Sequence, residues 1–200
     1  DESVSAMDYY NNDGTWETLC LNGLTCIGLV LQNKFLKKSF IIKSALKTYK
    51  LQILKNQKIK IQLQKPRYKS NKLKYNNYEG YYIDSGAKHF VINIDSNWPD
   101  DNTLITKAQE IRYDKKNFSD GINVNFYKII NYKTIEVKTY EKGIEKLMDS
   151  CASGSYAVAF HYHTNQNEIS IINKGGKFSF QFKKLNNYFL LNKGEIKYIN

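Results

Sequence analysis

Two cysteines far apart in this 200-residue chain sit in matching local settings. The first belongs to Cys20-Leu21-Asn22-Gly23-Leu24-Thr25-Cys26, preceded by Asn11-Asn12-Asp13-Gly14 and followed by the apolar run Ile27 to Leu31. The second belongs to Cys151-Ala152-Ser153-Gly154-Ser155, followed by Tyr156 to Phe160. In each, a thiol precedes small or amide-bearing residues and a glycine, and a helix-like apolar segment then begins. A helix starting there presents free main-chain N–H groups and a positive dipole end beside the sulfur, which favours thiolate and bound anions. Two such thiols face to face would make an acid and a base of one element. A buried small hydrophobe is the common fate of a free cysteine; the matched Asn-Gly and Ser-Gly contexts favour catalysis over that reading.

The elements that must position these thiols are mostly strands. Ala6 to Tyr10 reads as a short strand, and Asn11 to Gly14 as a turn, because Asn-Asp-Gly tolerates positive backbone dihedrals. Helical spacing runs from Leu24 to Leu36, lightly interrupted by Gly28. Ser39 to Ala45, Tyr49 to Leu54 and Lys58 to Leu63 read as a meander, alternating most clearly in Lys58-Ile59-Lys60-Ile61-Gln62-Leu63. Pro66 breaks the pattern. Tyr81 to Asp84, His89 to Asp95, Ile122 to Ile130 and Thr134 to Glu141 are further strands, with a short helix over Asn102 to Gln109. Ser155 to Tyr162 is the second thiol's helix. Strands then return at Glu168 to Ile172, Phe178 to Phe182, Tyr188 to Leu191 and Ile196 to Tyr198. Two blocks result, each with a thiol at the mouth of a helix between strands, an α+β arrangement.

A hydrophobic content of 42% with 24% charged residues describes a globular chain rather than a disordered one. The net charge of +11 is spread along the chain as lysines, and Arg67 and Arg112 form no cluster. The basic-aromatic stretch from Lys65 to Tyr82 is the best candidate for a nucleic-acid surface; it reads better as a solvated edge strand guarded by lysines, and no nucleic-acid partner is expected. Three cysteines cannot all pair, and their spacing resembles no zinc site. His161 and His163 could ligate a metal from one strand face, but they read as surface residues. No apolar run reaches membrane-spanning length, and Asp1-Glu2-Ser3 opens no signal peptide. A cytoplasmic compartment that preserves thiols is the default, with no membrane partner.

Asn11-x-Asp13-Gly14 with Cys20-x-Asn22-Gly23-x-x-Cys26 resembles the first motif of the diaminopimelate epimerase family of cofactor-independent amino-acid racemases. Tyr140-Glu141-Lys142-Gly143 with Cys151-x-Ser153-Gly154 resembles its second. Gly121-Ile122-Asn123-Val124-Asn125-Phe126 is similar to an intervening segment, Gly86-x-x-His89 to a Gly-Asn-Pro-His turn, and Gly175-Gly176-Lys177-Phe178 to a C-terminal Gly-Gly hairpin. The resemblance implies two similar lobes, each a mainly antiparallel sheet wrapped around a central helix. The first would span 1–58, lack the family's leading strands and helix with their substrate-binding Asn, and be completed by 190–200. The second would span 59–189.

An amino-acid α-proton is very weakly acidic, so racemisation without a pyridoxal or metal electron sink needs a base on one face, an acid on the other and hydrogen bonds to the carboxylate. The resemblance assigns the first two roles to Cys20 and Cys151, with a coupled titration. It gives the α-carboxylate to main-chain N–H groups around Leu21, Asn22, Ala152 and Ser153, the ammonium to Glu141, and other polar groups to Asn11 and Asn123. Cys26 is read as a packed helix residue. No cofactor is implied, the partner is a small amino acid, and a homodimer is compatible with the reading.

The sequence departs from the family where the far end of the substrate is read. Lys142 stands in place of an Arg that forks onto a distal carboxylate, and a lysine cannot reproduce that bidentate plane. Ala87 replaces the Asn of the turn, one residue is added between Glu141 and Cys151, and Gly-Thr becomes Ala152-Ser153. Epimerisation of LL- to meso-diaminopimelate, for lysine and peptidoglycan synthesis, is the expected activity. The alternatives are a racemase of another amino acid, such as histidine in metallophore synthesis, and a non-catalytic relative. Phenazine-biosynthesis-like isomerases fit less well because they do not rely on two cysteines.

Overall fold

A computed structural model describes residues 3–11, 13–45, 47–55, 58–95 and 97–192. The first part runs β1 (Ser3–Met7), β2 (Tyr9–Tyr10), β3 (Trp16–Glu17), α1 (Leu21–Phe35), β4 (Ser39–Ser44), β5 (Lys47–Ile53) and β6 (Lys58–Leu63). Then follow β7 (Arg67–Tyr68), β8 (Leu73–Tyr75), β9 (Tyr78–Asp84), β10 (Lys88–Asn93), α2 (Asp101–Arg112), β11 (Asn123–Asn131), β12 (Thr134–Glu141) and β13 (Lys146–Met148). The chain continues through α3 (Ala152–Tyr162), β14 (Glu168–Asn173), β15 (Gly176–Phe182) and β16 (Asn187–Asn192). The fold is thus the expected α+β class, dominated by strands. The strand expected at Ile196 to Tyr198 lies outside the described residues.

One hydrogen-bonded path joins β1-β4-β5-β6-β16-β15-β14-β12-β11-β10-β9-β7. Most neighbours are antiparallel, and β1/β4, β10/β11 and β12/β14 are parallel. Register follows the side-chain period of two: in β6, Ile59, Ile61 and Leu63 are buried while the alternate Lys58, Lys60 and Gln62 are partly exposed. The late strand β16 closes the path, pairing Phe189 with Ile61 on one side and with Phe180 on the other.

The helices divide the core. α1 and α3 share one apolar cluster with the inward residues of β4, β5, β6, β14, β15 and β16. α2 covers the opposite face of β10 and β11 through Leu104, Ala108 and Ile111, which meet Phe90, Ile92, Val124 and Phe126. A helix enclosed on all sides should be apolar or small all round, and α3 is: Ala152 to Ala159 are all buried. α1 shows the amphipathic alternative, burying Leu21, Leu24, Thr25, Gly28, Leu29 and Leu31. Gly28 is where the helix comes closest to β5, since a Cβ there would sit 2.5 Å from Leu51 Cδ1.

Cys26 falls on the outer face of α1 and is exposed, not packed as the sequence suggested. The histidines also differ from expectation. His161 is half-buried among Tyr81, Tyr68 and Tyr127, with its Nδ1 2.9 Å from Tyr68 Oη, and His163 stacks on Phe182 with ring centroids 4.2 Å apart. The tyrosines of the Lys65 to Tyr82 stretch likewise turn mostly inward: Tyr75, Tyr78 and Tyr82 pack edge-on against Phe90, Phe126 and Phe118. Among the described residues, no helix is long and apolar enough to cross a membrane.

Candidate active site

Both expected thiols are helix N-caps. Cys20 caps α1 at φ −126°, ψ 103°, and Cys151 caps α3 at φ −132°, ψ 100°, so the two backbones agree within a few degrees. At Cys20 the sulfur accepts the Gly23 N–H at 3.2 Å, the side-chain-to-N3 bond of an N-cap with sulfur in place of oxygen. Cys151 Sγ lies 3.6 Å from Ser153 Oγ.

The two caps are tied together. Asn22 Nδ2 donates to the Ser150 carbonyl at 3.4 Å, joining the first turn of α1 to the residue before Cys151. Ser85 Oγ donates to the Ser153 carbonyl at 2.9 Å, and Thr18 Oγ1 to the Gly86 carbonyl at 2.6 Å. The β9–β10 turn, where Gly86 takes φ +106°, is thereby bonded to the chain entering both caps. Gly154 leaves no room for a side chain: a Cβ there would lie 2.1 Å from Asn125 Oδ1 and 3.2 Å from His89 Nδ1.

Electrostatics place Tyr9, Cys20, Glu141 and Cys151 in one cluster. Tyr9 hydrogen-bonds Cys20, and its hydroxyl is pushed up by burial and then by Cys20, Glu141 and Cys151. Glu141 ends β12, and burial raises its carboxyl although a hydrogen bond from Cys151 opposes the shift. Both thiols are raised above 9.0, chiefly by burial, with Glu141 adding to it and the main-chain N–H groups of Gly23 and Gly154 acting the other way. The helix-end effect expected from sequence is therefore present and outweighed. Taking a thiolate out of water costs more here than one or two N–H groups return.

The other expected site residues gather around this cluster. Asn11 is buried, donates to Thr15 Oγ1 at 3.2 Å and fills the space beside Gly143, whose φ is +81°. Asn123 donates to the Lys88 carbonyl at 2.9 Å and accepts the Lys142 N–H at 2.8 Å, so it holds the chain after Glu141 and keeps one amide N–H to offer. Leu21, Ala152 and Ser153 form first helical turns with buried side chains, leaving main-chain groups as their contribution. Lys142 reaches Glu17 Oε1 at 2.8 Å. Both line a cleft of about 510 Å³ with Trp16, Thr18, Ala87 and Asn123. Sequence reading did not single out Tyr9 or Glu17: Tyr9 fell in the strand read over Ala6 to Tyr10 with no motif of its own, and β3 is two residues long and carries no period. Among the described residues, no three His, Cys, Asp or Glu side chains converge as a metal site.

The structure resembles a phenazine biosynthesis protein of Bacillus anthracis, at TM-score 0.61 and 13% identity over 92% of this chain and 76% of the other. It also resembles a probable proline racemase of Agrobacterium radiobacter, at TM-score 0.68 and 8% identity over 92% and 68%. These likenesses concern the fold. No family model matches the chain. In sequence, the chain is similar to the diaminopimelate epimerase of Hydrogenobaculum sp., at 26% identity over 84% of this chain, and spans 64% of that relative's length. It is 30% identical to the diaminopimelate epimerase of Flavobacterium psychrophilum, over 92% of this chain and 71% of the relative. For that of Methanocella arvoryzae the identity is again 30%, over 88% and 69%. With similarity of this extent joined to the paired cysteine caps and the shared fold, the chain belongs to the diaminopimelate epimerase family.

Proposed function

We propose that the protein is a cofactor-independent amino-acid epimerase in which Cys20 and Cys151 are the two-base pair, and that diaminopimelate is its substrate. The observation that carries this reading is the pair of thiols capping two helices in one backbone conformation, each raised by Glu141, with Cys20 also acting on Cys151. Such a pair is suited to opposite faces of one α-carbon. One sulfur, as thiolate, takes the α-proton while the other, as thiol, delivers its proton from the far side, and the protonation states of the two are exchanged at the end of the turnover. The charge that develops on the α-carboxylate is met by main-chain N–H groups in the first turns of α1 and α3.

The raised thiols fit a site switched on by substrate. In its absence burial and the Glu141 carboxylate keep both sulfurs protonated. An ammonium bound beside Glu141 neutralises that carboxylate and adds a positive charge next to Cys151, lowering the cost of thiolate. On this reading the reaction takes place in the cytoplasm, and its product feeds lysine and peptidoglycan synthesis.

The test is exchange of the α-proton in D₂O, followed by mass spectrometry or NMR on diaminopimelate, with histidine and lysine as comparison substrates. Deuterium should enter diaminopimelate, and Cys20→Ala or Cys151→Ala should each lower the rate by about 10²–10⁴-fold, the range of general acid–base catalysis. Full activity of either variant removes the two-cysteine mechanism. Exchange into histidine but not diaminopimelate moves the substrate assignment.

A further inference from the structure

We propose that the cleft between the C-terminal end of α3, the β6–β7 connection and the β15–β16 turn is a binding site for a nucleotide, its base on an aromatic wall and its phosphates on a lysine rim. The site lies outside the cysteine cluster, and its test does not depend on the epimerase reading.

This cleft, of about 510 Å³, is separate from the one that Glu17 and Lys142 line. Its frame is fixed by side-chain bonds. Tyr156 Oη donates to the Gln64 carbonyl at 2.9 Å and accepts Asn187 Nδ2 at 2.8 Å, while Gln62 Nε2 donates to Asn186 Oδ1 at 2.7 Å. The β6–β7 connection is thereby tied to α3 and to the start of β16. A ligand meets side chains carried on ordered backbone, which lowers the cost of binding.

Charge selects the anion. Lys65, Lys183 and Lys184 line the cleft, and no carboxylate does. Among the described residues no ion pair engages any of the three. Cations gathered without counter-charge repel one another, and a phosphate chain neutralises several at once. Through Leu63, Lys65, Leu185 and Asn186 the cleft continues into one of about 820 Å³ that adds Arg67 and Lys69. The carboxylate there, Asp84, is already engaged, accepting the Gly86 N–H at 2.9 Å and lying 3.8 Å from Lys69.

The aromatic wall selects a planar ring. Tyr68 stays 47% exposed beside Tyr81, Phe160 and His161. His163 covers the buried Phe182 with one face, at 4.2 Å between centroids, and lines the cleft. Burial lowers both His161 and His163 from the usual imidazole value, so their rings are neutral at pH 7. A neutral π surface beside unpaired lysines suits a base joined to phosphates. A simple anion leaves that surface bare, and an uncharged ring leaves the lysines unpaired.

Calorimetry at about 0.15 M salt, without divalent metal, compares ATP, adenosine, tripolyphosphate and single-stranded oligothymidylate. The variants are Lys65→Gln/Lys184→Gln, Tyr68→Leu and Lys116→Gln/Lys133→Gln, the last removing equal charge from exposed positions elsewhere. ATP should bind the wild type more tightly than adenosine or tripolyphosphate. Lys65→Gln/Lys184→Gln should weaken ATP and tripolyphosphate by about tenfold or more, the scale of hydrogen bonds to charged groups. Tyr68→Leu should weaken ATP and adenosine by about fivefold or more, the scale of losing a stacked base, and leave tripolyphosphate unchanged, which a folding defect would not do. Lys116→Gln/Lys133→Gln should bind ATP as the wild type does. In NMR spectra ATP should shift the ring protons of His161 and His163 and spare the fully buried His89. Absence of ATP binding overturns the proposal, as does equal weakening by both double variants, which makes the attraction one of net charge. Tripolyphosphate that matches ATP removes the base subsite and overturns it too. Oligothymidylate that binds more tightly than ATP and depends on the same residues moves the site to a nucleic acid, against the proposal.

Discussion

At the scale of single residues the site is governed by desolvation. Cys20 and Cys151 are raised above 9.0 by burial, whereas Cys26 is exposed on the outside of α1. Iodoacetamide labelling mapped by mass spectrometry should therefore modify Cys26 first at pH 8. Labelling at Cys20 and Cys151 should be slower and keep rising as the pH passes 9, because only the thiolate reacts. Glu141 gives a second prediction, on stability. Its carboxyl is raised above 4.5 in the folded protein. Well below 4.5 it is neutral in both the folded and the unfolded chain and contributes nothing. As the pH climbs past 4.5 the unfolded chain gives up its proton more readily, and stability falls. Glu141→Gln removes that penalty, so the Tm of the variant should exceed that of the wild type at pH 7 and converge with it near pH 4. On the proposed mechanism the same variant should lose α-proton exchange, since Glu141 there pairs with the substrate ammonium. A Tm difference independent of pH would reject the assignment.

At the scale of elements, α3 is the part most tightly specified. Its first turn rests on Asn125, whose Oδ1 accepts Thr139 Oγ1 at 2.9 Å and whose Nδ2 donates to the Phe90 carbonyl at 3.1 Å and faces His89 Nδ1 at 3.2 Å. Burial holds His89 at about 3, so it stays neutral and uncharged beside the helix end. No side chain fits between Gly154 and that network. Gly154→Ala should cost about 1–3 kcal/mol, the range for overpacking a close-packed core. It should also abolish activity at a temperature where the variant remains folded, because the turn it displaces is the one Cys151 caps. Circular dichroism melts together with exchange rates check both halves. Much of this level was legible in the sequence: the helix after each cysteine and the alternation of β6 follow from local period, and the turn at Gly86 from its resemblance to the family's Gly-Asn-Pro-His turn. What was not legible were β3, β7, β8 and β13, at two or three residues each, and the break that divides the strand read over Ala6 to Tyr10 into β1 and β2. Strands that short are defined by their partners rather than by their own pattern.

At the scale of the whole molecule the sheet is continuous. β16 joins β6 to β15, and Phe189 is fully buried there, with ring centroids 5.2 Å from Phe178 and 5.5 Å from Phe180. A sheet joined in this way should unfold as one cooperative unit. Trp16 lies in the first hairpin and Trp98 packs ahead of α2 against that helix's apolar cluster, so the two report on different elements. The single-tryptophan variants Trp16→Phe and Trp98→Phe should give coincident fluorescence transitions in urea. Phe189→Ala, at about 3–5 kcal/mol for a large-to-small change in a core, should shift both transitions together. Two separate midpoints would divide the molecule into independent halves. The +11 charge belongs to this scale as well. In β4 and β5 the lysines at 43 and 50 occupy the solvent-facing register, where they also discourage pairing with other chains.

What the sequence by itself determined was local: two thiols with helices behind them, a predominance of strands, and motifs specific enough to indicate the family. These rest on periodicity, capping and turn chemistry, which neighbouring residues settle among themselves. The tertiary structure decided what depends on residues far apart. It turned Cys26 outward, because the helix face was chosen by contact with β5. It raised Cys20 and Cys151, because burial outweighs the helix ends. It set Glu17 against Lys142, because β3 and the end of β12 meet only when both caps are assembled. Burial and long-range ion pairs are properties of the packed chain, and no local pattern encodes them.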